Sequence, residues 1–320
     1  MIFKNAILKA YKQSAFTRCD NDGTVFYFSS DDFYGLHKEN YPFPSSLGHT
    51  LQGYIYSYDN PIKNTLVIFD HGFGGGHTAY MKEIEKLCSK GYSVLAYDHT
   101  GCMASGGENT NGMAQSLHDL DDCLTHVKKD PSFKDYDLYV MGHSWGGFST
   151  LNISYIHKEI KKVVVMCGFV SVENLIASNF SGLLKGYRKD VLEVETNANP
   201  KYVGYNAINS LKNSSAKCLL IYSSNDHLCK KLHYDELYDN LKDQENIEFL
   251  LVHEKWHNPN YTKEAVMLLN EYVKEKTMLL KKKKLSTDEE KKAFLEKYDF
   301  NKMTEQDENV WNKIFEHLSK

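Results

Sequence analysis

Leu138-Tyr139-Val140-Met141-Gly142-His143-Ser144-Trp145-Gly146-Gly147 is the stretch that decides how this chain folds. Its apolar start reads as a strand buried on both sheet faces, and the residues beyond Gly147 read as a helix. Between them a serine stands in a Gly-x-Ser-x-Gly frame. So sharp a strand-to-helix bend holds the serine in a strained backbone conformation and pushes its hydroxyl out over the sheet edge. Gly142 and Gly146 are needed because a Cβ at either place would collide across the bend. The frame alone is modest evidence, since a glycine-rich helix start with an incidental serine looks the same. Its place after a buried strand is what makes it specific.

Outward from this point, short apolar runs alternate with helical stretches, the pattern of βαβ units and a parallel sheet. Leu66 to Phe69 and Ser93 to Tyr97 lie upstream; Val163 to Met166, Cys218 to Tyr222 and Ile247 to Val252 lie downstream. Helices are predicted from Tyr80 to Lys90, with Gly91 as a C-terminal cap, through Leu117 to Val127, and from about Thr262 to Glu275. The N-terminal segment reads as an amphipathic helix followed by strands at Thr24–Phe28 and Leu51–Tyr58.

Roughly forty-five residues separate the Val163 and Cys218 runs, far more than a βαβ crossover needs. Val172, Leu175, Ile176, Phe180, Leu183, Leu184 and Tyr187 recur there at helical spacing, which predicts a helical cap over the C-terminal edge of the sheet. An elaborated crossover is the plainer alternative. After about residue 278 come the lysines 281–284 and two more helices, the first opening at Ser286 with Glu289 as a capping box. The second carries Val310, Trp311, Ile314, Phe315 and Leu318 on one face. These helices are expected to pack back on the body, with a homodimer contact through them as the rival. The fold class is α/β: a mostly parallel central sheet flanked by helices, with a small helical cap after the sixth strand and a helical C-terminal extension. Residues 1–170 and 215–277 form the core, 171–214 the cap and 278–320 the extension.

Composition narrows the classes. The formal net charge of −4 over 320 residues offers no basic surface for nucleic acid. No apolar stretch approaches the roughly eighteen residues of a membrane span. The N-terminus interrupts its apolar positions with lysines, unlike a signal peptide. The seven cysteines are odd in number and form no Cys-x-x-Cys pair, which points to reduced thiols in the cytoplasm and not to zinc.

A serine hydroxyl is a poor nucleophile until a base removes its proton, and that base must be held by a third group. In this arrangement the acid follows the serine in the chain, the histidine follows the acid, and each sits on a loop after a strand. Asp226, just past Cys218 to Tyr222, and His257, just past Ile247 to Val252, occupy those places. His253 is the rival base and Glu173 the rival acid; His227 and His233 follow Asp226 too closely to face it. For the oxyanion, Asp70-His71-Gly72-Phe73-Gly74-Gly75-Gly76 is a glycine-rich turn after a buried run. Its Phe73 N–H and the Trp145 N–H are the candidate donors, with His71 orienting the turn. A phosphate loop is the alternative, but the Lys-Ser/Thr ending and the Gly-x-Gly-x-x-Gly spacing are both missing.

With these residues in view, the chain resembles the α/β-hydrolase superfamily, and within it the monoglyceride-lipase-like and serine-aminopeptidase-like group, over residues 48–275. Members pair a His-Gly oxyanion turn with an Asp-x-x-Gly-x-Gly-x-Ser loop. Here Asp98, Gly101 and Ser105 match, while Met103 replaces the second glycine. The resemblance implies the α/β-hydrolase fold and acyl transfer from a small-molecule substrate through Ser144, His257 and Asp226, with no metal and no organic cofactor. A carboxylic ester is the expected substrate class. Thioester and aminopeptidase readings compete, the last requiring a carboxylate for the substrate ammonium, for which Glu173, Glu193 and Glu195 lie in the right region. A non-catalytic receptor of the same fold is the reading from another class.

Overall fold

Eight apolar or edge segments become the strands of one sheet. They are β1 (His37–Asn40), β2 (Gly53–Ser57), β3 (Thr65–Asp70), β4 (Ser93–Tyr97), β5 (Asp137–His143), β6 (Lys162–Met166), β7 (Lys217–Ser223) and β8 (Ile247–Val252). This computed structural model describes residues 2–320. The strand order is β1-β2-β4-β3-β5-β6-β7-β8. Pairings of β2 with β1 and with β4 are antiparallel, and every other neighbour pair is parallel. The central strand β3 is buried at every position, as its unbroken apolar run requires.

Helices cover both faces. On one lie α3 (Gln115–Lys129) and α4 (Trp145–Ile156), which bury Leu117, Leu120, Leu124, Phe148 and Leu151 against the sheet. On the other lie α2 (Met81–Ser89) and, from the end of the chain, α8 (Glu308–Ser319), which buries Val310, Trp311, Ile314 and Leu318. Between β6 and β7 come α5 (Val172–Asn179), α6 (Arg188–Ala198) and α7 (Ala207–Lys212). The N-terminal α1 (Ile2–Ala15) docks on α6 through Lys4–Asp190 and through Tyr11, which donates to the buried Glu195.

Two expectations fail near the N-terminus. Thr24–Phe28 is not a strand; its Phe26 faces the C-terminal helices, stacking on Phe300 with ring centroids 4.8 Å apart, while Phe28 packs against Phe33. The edge position belongs instead to β1, whose four residues are all exposed and therefore carry no apolar alternation to read. The run Leu51–Tyr58 also divides: Thr50–Leu51 pairs with Phe43–Pro44 in a separate ribbon, and only Gly53–Ser57 joins the sheet. The C-terminal capping box forms one residue later than expected, between Thr287 and Glu290. Among the described residues no helix is long and apolar enough to cross a membrane.

Candidate active site

The bend after β5 sets the geometry. Ser144 has φ 57° and ψ −110°, a conformation that costs a non-glycine residue about 1–3 kcal/mol. A Cβ on Gly146 would stand 2.1 Å from the Asp70 carbonyl oxygen, and one on Gly142 would stand 2.4 Å from the Gly146 carbonyl oxygen. The two glycines therefore let β5 and α4 close on each other and on the end of β3.

Asp226 and His257 meet across the ends of β7 and β8. The Asp226 side chain is buried, and its Oδ1 accepts the N–H groups of Leu228 and Cys229 at 2.7 and 3.0 Å. Its Oδ2 lies 2.7 Å from His257 Nδ1, which turns the other ring nitrogen toward the cavity. Ser144 and His257 line the same cavity of about 480 Å³, whose walls include Phe73, Met113, Phe169, Leu175 and Leu228. Among the described residues the Ser144 hydroxyl makes no hydrogen bond to His257; it lies beside the thiol of Cys229. Rotation about Cα–Cβ between staggered wells moves that oxygen by roughly 2 Å.

The rivals lie elsewhere. His253 is on the surface, 3.0 Å from Ser224 Oγ. His227 is exposed, with its ring edge-on to Trp256, and His233 is buried beside the Val170 N–H. Glu173 is exposed on α5. Cys167, Asp226 and His257 form the one grouping of metal-ligating side chains among the described residues, with ligand atoms within 4.8 Å of one another. The 2.7 Å Asp226–His257 separation suits a shared proton, since a tetrahedral zinc spreads its ligand atoms to roughly 3.3 Å.

The turn after β3 completes the cavity. Among the described residues neither the Phe73 N–H nor the Trp145 N–H donates a hydrogen bond within the chain. His71 is fully buried and donates from Nδ1 to the Gly72 carbonyl at 2.7 Å, while its Nε2 accepts the His99 N–H at 3.0 Å. Burial, with His99 close by, pulls the His71 pKa down to about 3, so the ring stays neutral. Burial alone would lower His99 too, but Asp70 and Asp119 on either side carry it up to about 10. Met103 stands at φ 42° where the related loops have glycine, so the loop keeps its left-handed bend despite the side chain. Its Asp98 anchors His77 through the backbone N–H at 2.9 Å and the ring Nδ1 at 2.7 Å.

One feature was not legible beforehand. His143, inside the serine motif, accepts from the Tyr80 hydroxyl at 2.8 Å and donates from Nε2 to the His257 carbonyl at 2.6 Å. Tyr80 in turn accepts the Gly72 N–H at 3.1 Å. Burial, with His257 adjacent, lowers the His143 pKa to about 3 and keeps it in the neutral form this chain of bonds needs. The turn after β3, the serine bend and the loop of His257 are thus joined through two side chains.

Residues 61–203 match the family model described as serine aminopeptidase, S33. A curated relative, the uncharacterised protein YqkD of Bacillus subtilis, is 27% identical over 139 residues, which are 43% of this chain and 43% of that protein. The chain thus aligns with less than half of its curated relative. Among solved structures, the Pyrococcus furiosus esterase Pf2001 superposes with a TM-score of 0.59 at 21% identity, over 84% of this chain and 98% of that one. An acetyl xylan esterase from Paenibacillus sp. R4 gives 0.56 at 17% identity, over 80% and 88%. The Pyrococcus horikoshii acylaminoacyl peptidase gives 0.52 at 19% identity, over 70% and 38%. With the strand order, the serine bend and these superpositions together, the chain has the α/β-hydrolase fold, and residues 61–203 are similar to the serine aminopeptidase family.

Proposed function

We propose that the chain is a carboxylic-ester hydrolase that works through a Ser144–His257–Asp226 triad and an acyl-enzyme. The observation that carries this reading is the Asp226–His257 bond of 2.7 Å facing a cavity that also holds Ser144 on its strained bend. Substrate entry turns the Ser144 hydroxyl from Cys229 to His257, which takes its proton as the oxygen attacks the acyl carbon. The Phe73 and Trp145 N–H groups then receive the oxyanion, and the protonated His257 returns its proton to the leaving alkoxide. Water, deprotonated by the same ring, releases the acid. The helices α5 to α7 act as a cap that supplies one wall of the acyl pocket through Leu175.

An ester is favoured over an aminoacyl substrate by what the cavity lacks. Among the described residues no carboxylate lines it. Glu173 and Glu193 are exposed, and Glu195 is buried with its oxygens committed to the Tyr11 hydroxyl and the Met113 N–H. A substrate ammonium would therefore have no counter-charge there. Matched ester, thioester and aminoacyl anilide substrates rank the three readings: the ester is expected fastest, and an anilide rate above it overturns the preference. A fluorophosphonate probe is expected to label Ser144 in the folded protein. Absence of labelling points to the receptor reading instead.

A further inference from the structure

The loop that carries His257 is built against its own backbone preference. Glu254 and Trp256 stand at φ 60° and 48°, left-handed values that residues with side chains seldom adopt, and no glycine lies between Glu254 and Tyr261. Two such residues in three persist only where the surroundings hold them. The residue between them, Lys255, has a side chain only 6% exposed and points away from the cavity. Its ammonium donates to the Tyr261 carbonyl and to Asp307 Oδ2, each at 2.5 Å.

Asp307 belongs to the C-terminal extension, at the N-cap of α8. The same short segment grips the histidine loop at its far end. The Asp307 N–H donates to the Asn260 carbonyl at 2.7 Å, and the Thr262 N–H donates to the Glu305 carbonyl at 2.9 Å. Tyr261 and Gln306 form an antiparallel bridge. The buried Asn260 amide donates to Gln306 Oε1 at 2.8 Å, and the Trp311 indole donates to that same oxygen at 2.8 Å. Trp311 is fully buried against the sheet, so the grip is referred back to the core.

We propose that Lys255 and Asp307 are positioning residues for His257, and that the segment 305–307 is a strap by which the C-terminal extension sets the angle of the base. The inference rests on His257 being that base. Neither residue touches the cavity; they act by pinning the backbone two residues before the ring and four after it. The His143 bond to the His257 carbonyl fixes the loop from the serine side, and the strap fixes it from the opposite side.

The test compares Asp307→Ala, Asp307→Asn and the paired apolar replacement Lys255→Met with Asp307→Leu, in the full chain. Steady-state kinetics on the best ester, fluorophosphonate labelling rate and melting temperature are read for each. A misplaced base costs on the order of 10²-fold in kcat, with KM within about twofold of wild type. The labelling rate falls in parallel. The paired variant removes the buried ammonium together with its partner carboxylate, so its melting temperature recovers while kcat stays low. Should Asp307→Ala fail to fold, the paired variant decides alone. A folded Asp307→Ala or Asp307→Asn with wild-type kcat overturns the proposal, as does a paired variant whose kcat returns together with its melting temperature. His257→Ala is run beside them: if it remains active, the triad reading has failed rather than the strap.

Discussion

The two halves of the proposed catalytic apparatus are held in place by different physics. Ser144 is fixed by its immediate neighbours in sequence: glycines two before and two after it let backbone approach backbone, and a Cβ at Gly146 would meet the Asp70 carbonyl oxygen at 2.1 Å. His257 has no such local device. Its loop contains two left-handed non-glycine residues and is held by contacts from the turn after β7, from the serine motif and from the C-terminal extension. A steric bend is specified by what is absent, a tied loop by partners far away in the chain. The first tolerates almost no change at a few positions; the second should yield by degrees.

The largest effects break the chemistry itself. His257→Ala is expected to lower kcat on the order of 10⁵-fold and Asp226→Asn about 10⁴-fold, with circular dichroism unchanged in both. An Asp226→Asn enzyme within tenfold of wild type would remove the acid from the account.

At the serine bend the contrast shows in stability. Gly146→Ala is expected to cost at least about 3 kcal/mol in urea unfolding, because backbone cannot retreat as a side chain can. A cost below about 1 kcal/mol contradicts the steric account. Tyr80→Phe makes a gentler probe of the link between the halves. It leaves the Gly72 N–H without its acceptor and His143 Nδ1 without its donor, and is expected to lower kcat by about tenfold, the worth of a modest hydrogen bond.

These contrasts match what could be read from residues alone. The parallel strands were legible because unbroken apolar runs report burial on both faces, and Ser144 because its requirements are local. Asp226 and His257 were singled out only through chain order after strands. Edge strand β1 escaped notice because an exposed edge needs no apolar residue, and Thr24–Phe28 misled because aromatic residues serve a helix interface as well as a sheet. The Tyr80–His143 bonds and the Lys255–Asp307 pair join residues 63 and 52 positions apart, and no spacing rule announces such partners.

The last expected effect concerns pH and belongs to the serine side. His71 and His143 have folded pKa values near 3, against about 6.5 in an unfolded chain. As pH falls below about 6.5 the unfolded chain takes up protons that the folded state refuses, so stability declines toward pH 3. His99 works in the other direction: with its pKa raised to about 10, its contribution is complete below about pH 6.5 and is lost as pH rises through 10. Urea midpoints are therefore expected to peak near neutrality and fall on both sides. A midpoint that rises steadily from pH 6.5 to 4.5 contradicts the neutral, buried state of His71 and His143.

The most direct measurement is to trap the covalent intermediate. The protein is mixed with an excess of a chromogenic short-chain ester, quenched in acid within the first turnovers, digested and mapped by mass spectrometry. The account predicts an acyl mass increment on the peptide containing Ser144, absent from Ser144→Ala. Full turnover with no adduct on that serine, or an adduct on another residue that Ser144→Ala retains, would contradict it.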